Sequence, residues 1–258
     1  MRDLDEAIIL VTGGSRGIGR ALTVRLAEAG ATVYTCGRTR ADLEETRRLA
    51  RKSVDASTRG GVVRLETVDV TDEDRVAALL ERIQRDEGRL DALVNNASVL
   101  GSRAEIEEYP LEAWRHTMDV NVDGVFLTTR ASIPLLRNSG DAVIVNISSS
   151  VGREGRAGWG AYSVSKCGVE GLTDILAGEL TGDGIATVSA NPGGTATEMR
   201  AAAYPQEDPE TLPTAEDVAE TLRLLIQTIG TDQSGTKYNC RDLFDHVDAT
   251  SADGLPSV

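Results

Sequence analysis

Short apolar runs alternate along the chain with longer stretches whose apolar residues recur every three or four positions, the pattern of βαβ units around a parallel sheet. Residues 7–12 are apolar on both faces, as a strand inside a parallel sheet must be. A glycine turn follows, then a helix over residues 20–29 that Gly30 ends from a helix C′ position. Residues 31–36 predict a second strand, and residues 43–52 a helix with charges on its outer face. The third strand is expected at 62–68, a helix start at 71–74 with its helix over 75–86, and the fourth strand at 90–95. Residues 111–136 predict one long helix, weakened at Gly124 and closed by Asn138-Ser-Gly140. A fifth strand at 142–148, a helix at 161–180, a sixth strand at 185–190, a last helix at 215–228 and a short strand at 235–239 complete the series. The fold class expected is α/β: one doubly wound parallel sheet of about seven strands with helices on both faces.

The 258 residues fit a single domain, and neither an internal repeat nor a low-complexity linker divides them. Residues 197–213, rich in Ala, Glu and Pro, read as a loop or lid with a broken helix, and residues 245–258 as a loose polar tail. The formal charge of −14 argues against nucleic acid or an anionic membrane surface as partner. Cys36, Cys167 and Cys240 are dispersed and form no C-x-x-C spacing, which suits a reducing cytoplasm. His116 and His246 are the two histidines of the chain, so no His-based metal site is expected. The first ten residues carry charges where a signal peptide needs its apolar region, and no apolar run is long enough to span a bilayer. A cytoplasmic location is the expectation.

Chemistry enters with the run Val11-Thr-Gly-Gly-Ser-Arg-Gly-Ile-Gly19. Gly13, Gly17 and Gly19 follow a strand and open a helix, where amide groups and the helix dipole can hold a pyrophosphate. Glycine also permits close backbone approach there. The spacing differs from G-x-G-x-x-G, and a tight strand–helix connection alone can require such glycines. At the end of the second strand, Arg38 stands where a carboxylate would otherwise take the adenosine ribose; an Arg pairs instead with a 2′-phosphate. Arg16 offers a second positive charge, and Arg40 stands in reserve. Together they favour NADP over NAD. Asp69 is either an acceptor for the adenine amino group or a helix cap.

Tyr162 and Lys166 lie four residues apart on a predicted helix, so their side chains share one face. An ammonium beside a phenol favours phenolate and is expected to lower the Tyr162 pKa, making it a usable proton donor or acceptor. Taken alone, such a pair is ordinary helix surface.

The glycine turn, Asn95-Asn-Ala-Ser98, Asn121, Ile147-Ser-Ser149, Tyr162-Ser-Val-Ser-Lys166 and Pro192-Gly-Gly-Thr-Ala-Thr197 occur in that order. With them the chain resembles the short-chain dehydrogenase/reductase family over about residues 5–240. The resemblance implies a dinucleotide-binding and catalytic domain over residues 1–244 and a catalytic tetrad of Asn121, Ser149, Tyr162 and Lys166. Ser149 is chosen from three adjacent serines because the resemblance implies a serine thirteen positions before the tyrosine, here Tyr162. Ser148 and Ser150 become strand-end or loop residues, either able to lend a second hydrogen bond. The coenzyme contacts expected are Gly13, Ser15, Arg16, Gly17, Ile18, Gly19, Arg38, Asp69, Val70, Asn95, Ala97, Tyr162, Lys166, Pro192, Gly193, Thr195 and Thr197.

The implied activity is NADPH-dependent reduction of a ketone to a secondary alcohol. Tyr162 gives the proton, Ser149 hydrogen-bonds the substrate oxygen, and Lys166 holds the nicotinamide ribose. Asn121 either holds a water that refills the proton or shapes a helix kink. A hydrophobic ketone is the expected substrate. A β-ketoacyl reductase with a carrier-bound substrate is the alternative, as is a catalytically silent NADP-binding sensor or scaffold. Too few residues follow the sixth strand for the substrate domain of a sugar-nucleotide epimerase. The family also implies a homodimer or homotetramer. Two departures stand out: Ser98 replaces the family's usual Gly, and Lys237-Tyr-Asn-Cys-Arg-Asp-Leu243 replaces its usual aspartate–glycine–glycine ending.

Overall fold

The computed structural model describes residues 1–53 and 60–245; the expected tail lies outside the described residues except for Asp245. Seven strands form one parallel sheet in the order β3-β2-β1-β4-β5-β6-β7. They are β1 (Ile8–Thr12), β2 (Thr32–Gly37), β3 (Val62–Thr67), β4 (Ala92–Asn95), β5 (Ala142–Ile147), β6 (Ile185–Asn191) and β7 (Lys237–Asn239). Each differs from its expected bounds by no more than two residues. β1 pairs with β2 from Ile8↔Thr32 to Thr12↔Cys36 and with β4 from Ile9↔Ala92 to Val11↔Val94.

The period of two along each strand splits the apolar side chains into two cores. Ile9, Val11, Ala92, Val94, Val143 and Val145 face the first, with α1 (Gly17–Glu28), α2 (Arg40–Ser53) and α9 (Ala215–Thr228). Ile8, Leu10, Leu93 and Ile144 face the second, under α3 (Glu73–Asp86), α5 (Gly124–Arg137) and α7 (Gly160–Leu180). α3 starts where Asp72 accepts from the Arg75 amide, and α9 where Thr214 and Asp217 close a capping box. Because both faces are covered at the centre of the sheet, β1, β4 and β5 are buried along their whole length. The chain changes direction between β1 and β4, which opens a crevice at the carboxyl ends of the strands.

The one long helix expected over residues 111–136 is not continuous. It comprises α4 (Leu111–Met118), a π turn over Asp119–Asp123, and α5. The extra residue in the turn rotates Asn121 inward, where it is fully buried. Gly124 follows at once, and a Cβ there would lie 2.7 Å from the Val70 side chain. The glycine that weakened the helix prediction is thus what lets the helix approach the loop after β3. The short α6 (Ser150–Arg153) was not expected, while α8 (Glu198–Ala203) lies in the segment read as a loop or lid with a broken helix.

Candidate active site

A cleft of about 440 Å³ lies over the carboxyl ends of β1, β2, β4 and β5. Its floor begins at the glycine turn. The Gly13 and Gly14 amides donate to the Cys36 carbonyl (2.9 and 3.1 Å), which folds the turn back over β2. Gly13 sits at φ 71°, and a Cβ there would lie 2.8 Å from the Ala97 Cα, so only glycine fits. α1 starts at Gly17 with Arg16 as its N-cap and no side-chain cap, leaving its first amides open to an anion. Ser15, Arg16, Gly17 and Ile18 line the cleft, as do Arg38, Asp69, Val70, Ala97, Pro192 and Thr197.

Four of the expected coenzyme contacts do not line it. Asn95 is 3 % exposed; its amide donates to Thr129 Oγ1 (2.9 Å) and Asn146 Oδ1 (2.8 Å), and its carbonyl accepts from Thr128 Oγ1 (2.7 Å). It binds β4 to β5 and α5. The next residue, Asn96, reaches the cleft and donates to the Thr12 carbonyl (2.9 Å) and the Gly13 carbonyl (3.2 Å). Strand alternation carries the signal that separates them: Asn95 shares the parity of Leu93, which faces the second core. Gly19 is required for packing, since a Cβ would come within 2.4 Å of Asn96 Nδ2 and of the Gly13 carbonyl oxygen. Gly193 takes φ 73° beside Arg241, and buried Thr195 turns its hydroxyl back to the Gly193 carbonyl (3.4 Å). Arg20 and Cys36 line the cleft and were not expected there.

The reactive end is built by β5 and α7. Lys166, 2 % exposed, donates to the Ile147 carbonyl (2.8 Å), and its ammonium lies 5.7 Å from the centre of the Tyr162 ring. Gly152 of α6 allows this packing, because a Cβ there would fall 2.6 Å from the Lys166 Cβ. The Ser149 side chain acts on the Tyr162 phenol in the sense that lowers its pKa. Ser148 lines the cleft as well, and its buried hydroxyl has no hydrogen-bond partner. Asn121 has no spare capacity: its carbonyl accepts from the Val99 amide (2.8 Å) and Ser98 Oγ (3.1 Å), and its amide donates to the Val99 carbonyl (2.9 Å) and Ser165 Oγ (3.0 Å). Its side chain ties the π turn to the loop after β4 and to α7. Ser98 is itself one of the tethers.

Burial governs the protonation of the pair. It pushes the Tyr162 phenol up to about 12 against the Ser149 hydrogen bond, which pulls the other way. Burial raises the phenol where a lowering by Lys166 was expected, and the ammonium's hydrogen bond goes to a backbone carbonyl. Lys166 is brought down to about 8 by burial, with Glu170 acting to raise it. Glu170 is anchored in turn by Arg153 (3.1 Å) and by the Ser189 hydroxyl (2.8 Å).

Beyond Tyr162 stands an apolar wall. Trp159, Tyr162 and Val151 pack with Leu100, Met199 and Tyr204, the Trp159 ring lying 5.7 Å from Tyr162 and 5.9 Å from Tyr204. Arg103 covers Trp159 from outside at 4.1 Å.

An open parallel sheet with a glycine turn at its switch point and a Tyr–Lys–Ser group beside it defines a dinucleotide-dependent oxidoreductase. Residues 7–208 match the family model described as short chain dehydrogenase, and the chain belongs to that family. It is 39% identical over 215 residues to the oxidoreductase YciK of Escherichia coli K12, covering 83% of this chain and 84% of that one. A solved short chain dehydrogenase from Pseudomonas syringae is 40% identical with a TM-score of 0.84, covering 93% of this chain and 96% of that one. Another, from Shigella flexneri 2a and complexed with NADP, is 36% identical with a TM-score of 0.84, covering 93% of this chain and all of that one. Among the described residues, no helix is long and apolar enough to cross a membrane.

Proposed function

We propose that the protein reduces a ketone to a secondary alcohol with NADPH, Tyr162 delivering the proton. The single observation that carries the reading is Tyr162 beside Ser149 and Lys166 at the end of a cleft whose other end is the uncapped N-terminus of α1. The cleft fits the coenzyme in volume and in donors, and the partnerless Ser148 hydroxyl is a polar group awaiting a ligand. NADP is also what the Shigella flexneri relative holds.

The amides of α1 would receive the pyrophosphate, Arg38 the 2′-phosphate, and Lys166 the nicotinamide ribose. When bound, the reduced nicotinamide supplies the hydride equivalent that the carbonyl carbon accepts. Ser149 would hold the substrate oxygen in line by hydrogen bonding as charge develops on it. A phenol pushed up to about 12 carries its proton at neutral pH. The apolar wall of Trp159, Tyr204 and Met199 supports a hydrophobic ketone, with residues 197–213 as the lid. Exposed Leu111, Phe126, Val164 and Ile175 on α4, α5 and α7 support assembly with a second copy.

The test follows NADPH oxidation at the nicotinamide absorbance with a panel of cyclic, aromatic and β-keto ester ketones. Tyr162→Phe should lower turnover roughly 10²–10⁴-fold while leaving NADPH binding nearly intact. Loss of coenzyme binding together with turnover would refute the assignment of Tyr162.

A further inference from the structure

We propose that Glu198 sets coenzyme specificity: its carboxylate holds Arg16 in the free protein and yields it to the 2′-phosphate of NADP. The proposal rests on the coenzyme reading above.

Arg16 caps α1 within the glycine turn, and Glu198 is the first residue of α8 in the lid segment. Both line the cleft, and they pair at 2.6 Å. The two loops already abut, since a Cβ on Gly17 would lie 3.5 Å from the Thr197 methyl carbon. The ion pair therefore straps the lid base to the coenzyme turn. Its side chains are 68% and 75% exposed, so it is a weak, exchangeable contact in water.

Among the described residues, no other cation pairs with Glu198. Arg200 is committed to Glu207 through two bonds of 2.5 and 2.6 Å, and Arg241 donates to the Gly194 carbonyl at 2.6 Å. Arg38, also lining the cleft, has no ion pair among the described residues. Of the three guanidiniums that line the cleft, Arg20 donates to the Ser15 carbonyl and Thr46, Arg16 is spent on a carboxylate, and Arg38 is left for a ligand. A phosphate dianion carries more charge than a carboxylate and takes a guanidinium in a forked pair, so it competes well for Arg16. NAD lacks that phosphate and leaves the strap in place. Glu198 accordingly taxes NADP binding, and NADP binding frees α8 from the glycine turn.

Calorimetric titrations of NADP⁺ and NAD⁺ into the wild type, Glu198→Gln, Arg16→Gln and the double variant test this. Glu198→Gln should tighten NADP⁺ about two- to fivefold, the range of an exposed ion pair. NAD⁺, which also gains from removal of a negative charge, should tighten less. In the Arg16→Gln background the same change should leave the ratio of the two affinities unaltered. Glu198→Asp, which keeps the charge, should behave like the wild type. An unchanged or lower NADP⁺:NAD⁺ ratio in Glu198→Gln, or a gain that persists without Arg16, overturns the proposal and leaves the coenzyme reading standing. Failure of the wild type to bind either coenzyme overturns both.

Discussion

Lys166 is an ammonium placed where an apolar group would be more stable, and Lys166→Met should show it. The side chain is 2 % exposed, and burial brings its pKa from 10.5 to about 8. At about 1.4 kcal/mol per unit, that shift corresponds to about 3 kcal/mol of destabilisation of the folded chain at neutral pH. Met has a similar length and no charge, but it leaves the Ile147 carbonyl without its 2.8 Å donor, which offsets about 1 kcal/mol or more. Glu170 keeps Arg153 and Ser189 as partners, so the variant strands no carboxylate. The net expectation is a gain of about 1–2 kcal/mol, which raises Tm by about 2–8 °C for a chain of this size, together with loss of reductase activity.

The pH dependence isolates the cause. The unfolded chain holds the proton more tightly than the folded one, so the destabilisation is fully present below about pH 8 and relieved as pH rises toward 10.5. Denaturant unfolding of both proteins across that window should show the gap narrowing as the wild type gains stability. Other groups titrating there are common to the two proteins and cancel. A variant less stable than the wild type at pH 7, or a gap that stays constant through the window, would refute the reasoning.

Two further outcomes are expected. Arg38→Asp should shift the ratio of kcat/KM from NADPH toward NADH by at least about tenfold, or about 1.4 kcal/mol, and an unmodified protein that uses both coenzymes equally would contradict the reading of that arginine. Asn95→Ala strips partners from buried Thr128, Thr129 and Asn146, so it should cost about 1–3 kcal/mol in urea unfolding while leaving the affinity for NADP⁺ near that of the wild type. A large loss of NADP⁺ affinity with unchanged stability would return Asn95 to the coenzyme site.

What the sequence discloses is set by the range over which each interaction acts. Strands and capped helices are local, and the apolar runs at β1, β4 and β5 with the Thr214–Asp217 box locate them within a residue or two. The glycine turn is legible because Gly13 answers to backbone geometry that few side chains tolerate. The π turn is illegible for the converse reason. Asp119–Asp123 carries no local mark of a π turn, and the bonds that Asn121 makes there reach Ser98, Val99 and Ser165 in other parts of the fold. Asn95 and Asn96 differ by nothing except the side of the sheet they occupy.

The electrostatics carry this limit furthest. Spacing brings Lys166 and Tyr162 to one helix face, and the structure keeps them there, yet the direction of the phenol's shift runs opposite to the pairwise expectation. A pairwise rule counts one neighbour, whereas desolvation sums over Val151, Trp159 and everything else that removes water from Tyr162. The same holds for Arg16. Its position in the glycine turn makes a phosphate the expected partner, but in the fold it pairs with Glu198, 182 residues away in the chain. Local sequence therefore identifies the groups in this site, while their readiness to act is set by residues that only the fold brings near.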